Sequence, residues 1–310
     1  MEIIRAKILG FCAGVRRAVL AADKALSDNE RRGARGRVYT LGPLIHNPAA
    51  LQKLAERDLK ILSENEIGSL SQDDTVIIRA HGVPPETESA LMQKKAAVIN
   101  ATCPLVTKSQ ATAAEHAGKG YVIFFAGDKN HGEVIGIEGC ARKAADNARR
   151  PLHFILIKDA GELRDSIKSL ESASILSQST KIVLLSQTTF SIETFDRLRN
   201  ELSSRFPGVK IISSICPATH ERQESLAELC SQTDGVIVIG GKTSANTNRL
   251  FRTASKLSRN AALIETPDEI PGEFFSLKKV GITAGASTPD DIIHAVEERL
   301  MSGEDEKASN

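Results

Sequence analysis

Ala97-Val98-Ile99-Asn100-Ala101-Thr102-Cys103-Pro104 is a short apolar run that breaks into a polar turn and then meets proline. Proline suits the first turn of a helix, where its missing N–H costs nothing. The same grammar recurs along the chain. Residues 209–212 run into Ser213-Ser214-Ile215-Cys216-Pro217, and residues 3–9 run into Gly10-Phe11-Cys12-Ala13-Gly14. A helical spacing of Val15, Ala18, Val19, Ala22 and Leu26 follows Cys12. Residues 75–79 end in Ala80-His81-Gly82, and residues 121–125 lead through Gly127 to His131 and Glu133. Residues 181–185 end in Ser186-Gln187-Thr188-Thr189, residues 235–239 in Gly240-Gly241-Lys242-Thr243-Ser244-Ala245-Asn246, and residues 279–282 in Thr283-Ala284-Gly285-Ala286-Ser287. Apolar runs alternating with helical patterns predict an α/β fold of parallel sheets. In such sheets, sites form beyond the carboxyl ends of the strands, and that is where the reactive residue types gather. Three cysteines at equivalent strand-to-helix turns predict three similar α/β domains in a ring. The expected domains are 13–102, 103–214 and 215–300, the last completed by strand 1–12, with 301–310 a flexible tail.

Composition sets the outer limits. The chain has 310 residues and a net charge of +1, with 41% hydrophobic residues. That balance excludes wholesale disorder and gives no basic footprint for nucleic acid or an acidic membrane. No apolar run approaches the ~20 residues of a membrane helix. Arg5 and Lys7 interrupt the first apolar stretch, so no secretory or transit signal is read, and the expected compartment is the cytoplasm. Five spread cysteines do not form a disulfide framework. No glycine motif for NAD, flavin or ATP stands after a strand.

Cys12, Cys103 and Cys216 therefore read as metal ligands, whereas Cys140 and Cys230 read as packing residues. No C-x-x-C pair of structural zinc is present, although His220 four residues after Cys216 keeps zinc open. Three distant thiolates suit an iron–sulfur cluster, one cysteine short of a fully ligated cubane, and an open iron is a Lewis acid. His46, His81 and His131 lie in turns, and with nearby Ser and Asn they suggest an anion pocket. Glu133 reads either as a proton donor or as a carboxylate favoured at a helix start. Gln187-Thr188-Thr189 reads either as a holder of a substrate hydroxyl or as a helix cap. Two other functions stay open on these residues: a zinc-dependent phosphohydrolase, and a metal- or redox-sensing binding protein.

The ordered motifs resemble one family. They are Gly10-Phe11-Cys12-Ala13-Gly14-Val15, Ala80-His81-Gly82-Val83, Ala101 to Lys108, Gln187-Thr188-Thr189, Ile215-Cys216, Arg222-Gln223, Asn246 to Leu250, and Gly281 to Ser287. Together they resemble the LytB-type iron–sulfur reductases, which act on 4-hydroxy-3-methylbut-2-enyl diphosphate. The resemblance implies a pseudo-threefold trefoil around a 4Fe-4S cluster held by Cys12, Cys103 and Cys216. It implies that His46, His81, His131, Thr188, Ser244, Ala245, Asn246 and Ser287 bind the substrate. It implies catalytic roles for Glu133, Thr188 and His131, with Glu133 relaying protons. The implied reaction removes an allylic hydroxyl, in the last step of the methylerythritol phosphate route to isoprenoids. The products are isopentenyl and dimethylallyl diphosphates, and electrons come from a ferredoxin or flavodoxin type donor. The sequence departs from the family pattern at Leu9, Ala245, Pro217 and Glu221.

Overall fold

The structure, a computed structural model, describes residues 1–308. In chain order its elements are β1 (Glu2–Arg5), α1 (Ala13–Arg31), β2 (Val38–Leu41), α2 (Pro48–Glu56), β3 (Leu59–Leu62), β4 (Thr75–Ile78), α3 (Pro85–Gln93), β5 (Ala97–Asn100) and α4 (Pro104–Gly118). Then come β6 (Val122–Ala126), α5 (Gly132–Asn147), β7 (His153–Ile157), α6 (Ala160–Ser172), β8 (Ile182–Ser186), α7 (Ile192–Arg205), β9 (Lys210–Ile211) and α8 (Pro217–Gln232). The chain closes with β10 (Gly235–Ile239), α9 (Ala245–Leu257), β11 (Ala261–Ile264), β12 (Lys279–Ala284) and α10 (Asp290–Ala308). Among the described residues the strands form three four-stranded sheets. The α/β expectation holds. β2, β3, β7 and β11 go beyond the eight strands read from the sequence; no reactive turn marks the ends of β3, β7 and β11, and the His46 turn after β2 was read without its strand.

The chain divides into two compact units, Met1–Ile61 with Pro217–Asn310, and Leu62–Cys216. The second unit contains the sheet β7-β6-β8-β9. β6 and β8 are buried along their whole lengths, and both read as continuous apolar runs, as parallel strands covered on two faces do. Alternation sends their side chains to opposite faces. Phe124 and Leu184, paired in register, pack with Leu163, Ile167, Leu198 and Leu202 of α6 and α7. Ile123, Phe125, Val183 and Leu185 pack instead with Ala113, Ala117, Ile137 and Ala141 of α4 and α5. The small residues let α4 and α5 approach the sheet closely. β4 and β5 run parallel in the same unit.

The first unit contains the parallel sheet β1-β12-β10-β11. Ile237, Ile239, Ile282 and Val280 face Ile293, Val296 and Leu300 of α10. Val236 and Val238 face Leu226 and Leu229 of α8 and Leu250 and Ala254 of α9. The expected tail begins at residue 301, inside α10. α10 continues through Ala308, and Gly303 is buried so near the Phe275 ring that a Cβ there would collide with it. An apolar partner therefore exists for the start of this segment. Ser309 and Asn310 lie outside the described residues.

Candidate functional site

In the second unit, three strand ends supply a connected set of polar groups. β6 leads to Asp128 and then to His131, the N-cap of α5, whose Nδ1 accepts from the Glu133 N–H at 3.2 Å. Glu133 is 1% exposed. Its carboxylate accepts from both donors of one residue beyond β8: the Thr188 N–H to Oε1 at 2.7 Å, and the Thr188 hydroxyl to Oε2 at 2.8 Å. A buried carboxylate needs such donors. Gln187 fixes the relative height of these loops. Its Oε1 accepts from the Asp128 N–H at 2.9 Å and its Nε2 donates to Thr189 Oγ1 at 2.7 Å. Beyond β4, the His81 ring meets the His131 ring edge-on at 4.9 Å. His81, His131, Glu133 and Thr188 are therefore linked, as their positions after strands predict.

The thiols of this unit join the same frame through the backbone. The Cys103 N–H donates to the Ala80 carbonyl at 3.0 Å, next to His81, and the Cys216 N–H donates to the Thr188 carbonyl at 2.8 Å. Cys103 is the N-cap of α4 and Pro104 its first residue. Arg79 was not singled out by the sequence. Its guanidinium lies against Gly132 at the start of α5, where a Cβ would collide with it. Burial pushes its pKa down from the ordinary arginine value, partly offset by Glu64. Arginine directly before Ala80-His81 was the available signal.

In the first unit, Cys12 is the N-cap of α1, and its Sγ accepts from the Val15 N–H at 3.5 Å. Two contacts fix the preceding turn. Gly10 adopts φ 75°, which favours glycine, and its carbonyl accepts from Arg222 Nη2 at 2.7 Å. Arg222, known from the sequence only as part of a motif, is thus the support of the Cys12 turn. The Cys12 N–H in turn donates to the Ala286 carbonyl at 3.2 Å, one residue before Ser287.

The anion-pocket residues of this unit also converge. Ser287 Oγ donates to the His46 carbonyl at 3.3 Å. Gly241 lies against that same carbonyl, leaving no room for a Cβ. The Ser244 N–H donates to the Gly241 carbonyl at 2.9 Å, and Ser244 caps α9 by accepting from the Thr247 N–H. Ala245 opens α9 and brings no side-chain donor. Asn246 is buried and its Nδ2 has no hydrogen-bond partner. Asn47 next to His46 repeats this: Oδ1 caps α2 at Ala50 N–H, 3.0 Å away, while the buried Nδ2 is unpartnered. Two orphaned amide donors beside serine hydroxyls and the N-termini of α2 and α9 suit an anion. Asn47 went unread because Asn before Pro is also the plain signature of a helix start.

The other cysteines behave as packing residues. Burial pushes the Cys140 thiol up to about 11, with Glu86 and Glu88 adding to the shift. Cys230 packs among Leu226, Leu229 and Val236, and burial raises its thiol as well. His220 points at Glu224, 3.6 Å away, on an exposed face of α8. That is an ordinary helix pair, and it removes the feature that favoured zinc.

A family model described as LytB protein matches residues 3–301. The chain belongs to the LytB family. It is 40% identical over 305 residues to the 4-hydroxy-3-methylbut-2-enyl diphosphate reductase of Treponema denticola, covering 98% of this chain and 100% of that relative. With the Aquifex aeolicus reductase of the same name it shares 39% identity, covering 97% and 96%. A solved (E)-4-hydroxy-3-methyl-but-2-enyl diphosphate reductase, described as the terminal enzyme of the non-mevalonate pathway, is similar at 38% identity and a TM-score of 0.68, covering 97% and 100%. The reductase of Plasmodium falciparum superposes with a TM-score of 0.83 at 25% identity, covering 96% of this chain and 87% of that one. No described helix of this LytB chain is long and apolar enough to cross a membrane.

Proposed function

We propose that this chain reductively removes the allylic hydroxyl of (E)-4-hydroxy-3-methylbut-2-enyl diphosphate, giving isopentenyl and dimethylallyl diphosphates in the last step of the methylerythritol phosphate route. The observation that carries the chemistry is Glu133, a water-excluded carboxylate gripped by the N–H and hydroxyl of Thr188. Cys12, Cys103 and Cys216 would hold a 4Fe-4S cluster. The donor set fits it: these three cysteines are half-buried and form no disulfide, each directly before a helix, while burial holds Cys140 and Cys230 protonated. When bound, such a cluster supplies electrons singly and, at an iron without a thiolate, a Lewis acid. The zinc hydrolase and the sensor are not favoured, since the relatives are named as reductases.

The protein residues do the rest. His46, His81, Ser244, Asn246 and Ser287 donate to the diphosphate oxygens, and the Ala245 N–H at the start of α9 adds to them. A pocket of neutral donors and helix ends accounts for an anionic substrate in a chain of net charge +1. The balanced reaction takes two electrons and two protons and releases the hydroxyl as water. Departure of hydroxide from carbon needs a proton at the leaving oxygen. Glu133 relays that proton, Thr188 orients the substrate hydroxyl toward it, and His131, whose Nδ1 accepts from the Glu133 N–H, contacts the substrate beside them. A ferredoxin or flavodoxin type protein is the electron donor, and the cytoplasm is the compartment. The three four-stranded sheets support a reading of three α/β domains, with seams near residues 102 and 214. The test is anaerobic turnover of the allylic diphosphate with reduced methyl viologen, together with iron and sulfide analysis. Zinc without sulfide, or an intact substrate, would refute the proposal.

A further inference from the structure

Helix α1 buries Ala18, Ala22, Ala25 and Leu26. At 3.6 residues per turn, the opposite face carries Ala13, Arg17, Leu20 and Lys24, with Arg16 at its flank. All five are exposed, and Leu20 keeps 61% of its surface in solvent. From Ala13 to Ala22 the helix contains no carboxylate. The first, Asp23, is engaged by Arg57 at 2.9 Å. This distribution works against the helix itself. The positive end of a helix favours acidic residues, and this helix starts with none. An apolar centre ringed by cations, placed where it does not help folding, is the anatomy of an interface.

The stripe also begins at Cys12. Leu20 is eight residues beyond that N-cap, about 12 Å along the helix axis. We propose that this face of α1 is the docking surface for a small acidic one-electron carrier protein. The proposal rests on the functional reading above, in which Cys12 is a cluster ligand and two electrons enter from outside. Since the net charge is only +1, the molecule has no general field to gather anions. A local cationic stripe then supplies both attraction and orientation. Each encounter oxidises the reduced carrier by one electron, and two encounters supply the pair that, with two protons, releases water.

The test uses the full chain with its cluster and an acidic plant-type [2Fe–2S] ferredoxin as probe. Oxidised ferredoxin is titrated calorimetrically into the wild-type protein and the Arg16→Glu/Lys24→Glu variant, at low and high salt. The expected result is a Kd about tenfold weaker in the variant, with a shallower salt dependence. A ferredoxin with two surface carboxylates changed to lysine recovers part of the loss. Turnover with reduced methyl viologen, which needs no docking, stays at the wild-type level and reports an intact fold. Equal Kd and equal salt dependence in the two proteins would overturn the proposal, as would a parallel loss of viologen turnover in the variant. A wild-type protein that binds ferredoxin through this face but never reduces the allylic diphosphate would sink the functional reading and leave the docking surface standing.

Discussion

Glu133→Gln separates proton delivery from architecture. The side chain is 1% exposed, and both its oxygens accept from Thr188, at 2.7 Å and 2.8 Å. A glutamine fits these partners. Its Oε1 accepts from the Thr188 N–H, and its Nε2 donates to the hydroxyl, which accepts as readily as it donates. The exchange trades charge-assisted bonds for neutral ones and costs stability about 1 kcal/mol. The chemistry has no such substitute, because an amide does not give up a proton. General acid catalysis is worth roughly 10²–10⁴-fold, so kcat is expected to fall by that factor, about 3–5 kcal/mol in barrier. KM should move little, since the diphosphate donors are other residues. The assay is anaerobic turnover with reduced methyl viologen, normalised to iron and sulfide content, with thermal unfolding as control. A kcat within about tenfold of wild type would refute the proton role. So would a loss that tracks missing iron. Thr188→Val offers the contrast: it leaves one oxygen of a buried carboxylate without its donor and should cost about 1.5–3 kcal/mol of stability.

The remaining predictions concern the frame. Cys103→Ser should abolish the bound iron and sulfide, whereas Cys140→Ser should keep both, as measured by metal and sulfide analysis. With its thiol pushed up to about 11 from an ordinary 9.0, Cys140 should alkylate about a hundredfold more slowly near pH 8 than an unperturbed thiol. Iodoacetamide kinetics followed by peptide mass analysis checks this, and fast labelling contradicts it. Gly241→Ala drives a methyl into the His46 carbonyl. It should destabilise by about 1–3 kcal/mol and weaken inhibition by pyrophosphate, read by calorimetry. Hydrogen bonds from Lys242 and Lys53 hold the Glu269 and Asp291 carboxyls below their usual range. Depressed folded values mean this stability is complete above the unfolded value of about 4 and is lost as pH falls through the folded value. A Tm profile should therefore drop below about pH 4, and Lys242→Met with Lys53→Met should flatten that drop.

Much was legible in the chain itself. Continuous apolar runs such as Val122–Ala126 and Gly235–Ile239 announce parallel strands, because only a sheet covered on both faces needs apolar residues at every position. The turns after them carry the histidines, cysteines, serines and Glu133, because strand ends are where backbone and side-chain donors stay open. β3, β7 and β11 escaped notice because nothing reactive follows them, and β2 because only its turn, with His46, was read. Arg79 and Asn47, and the role of Arg222, escaped notice for a different reason. Their importance lies in partners far away in sequence or in atoms left unpaired by burial, and neither leaves a local signature.

The sequence by itself determined the α/β architecture, the separation of three turn cysteines from two packing ones, and the family, because each follows from local pattern and residue order. Only the tertiary structure decided that Thr188 grips both oxygens of Glu133, that Arg222 holds the Gly10 turn, and that Asn47 and Asn246 carry spare donors. Those are facts of distance and desolvation. They exist once remote segments are brought together and water is excluded, and no spacing along the chain encodes them.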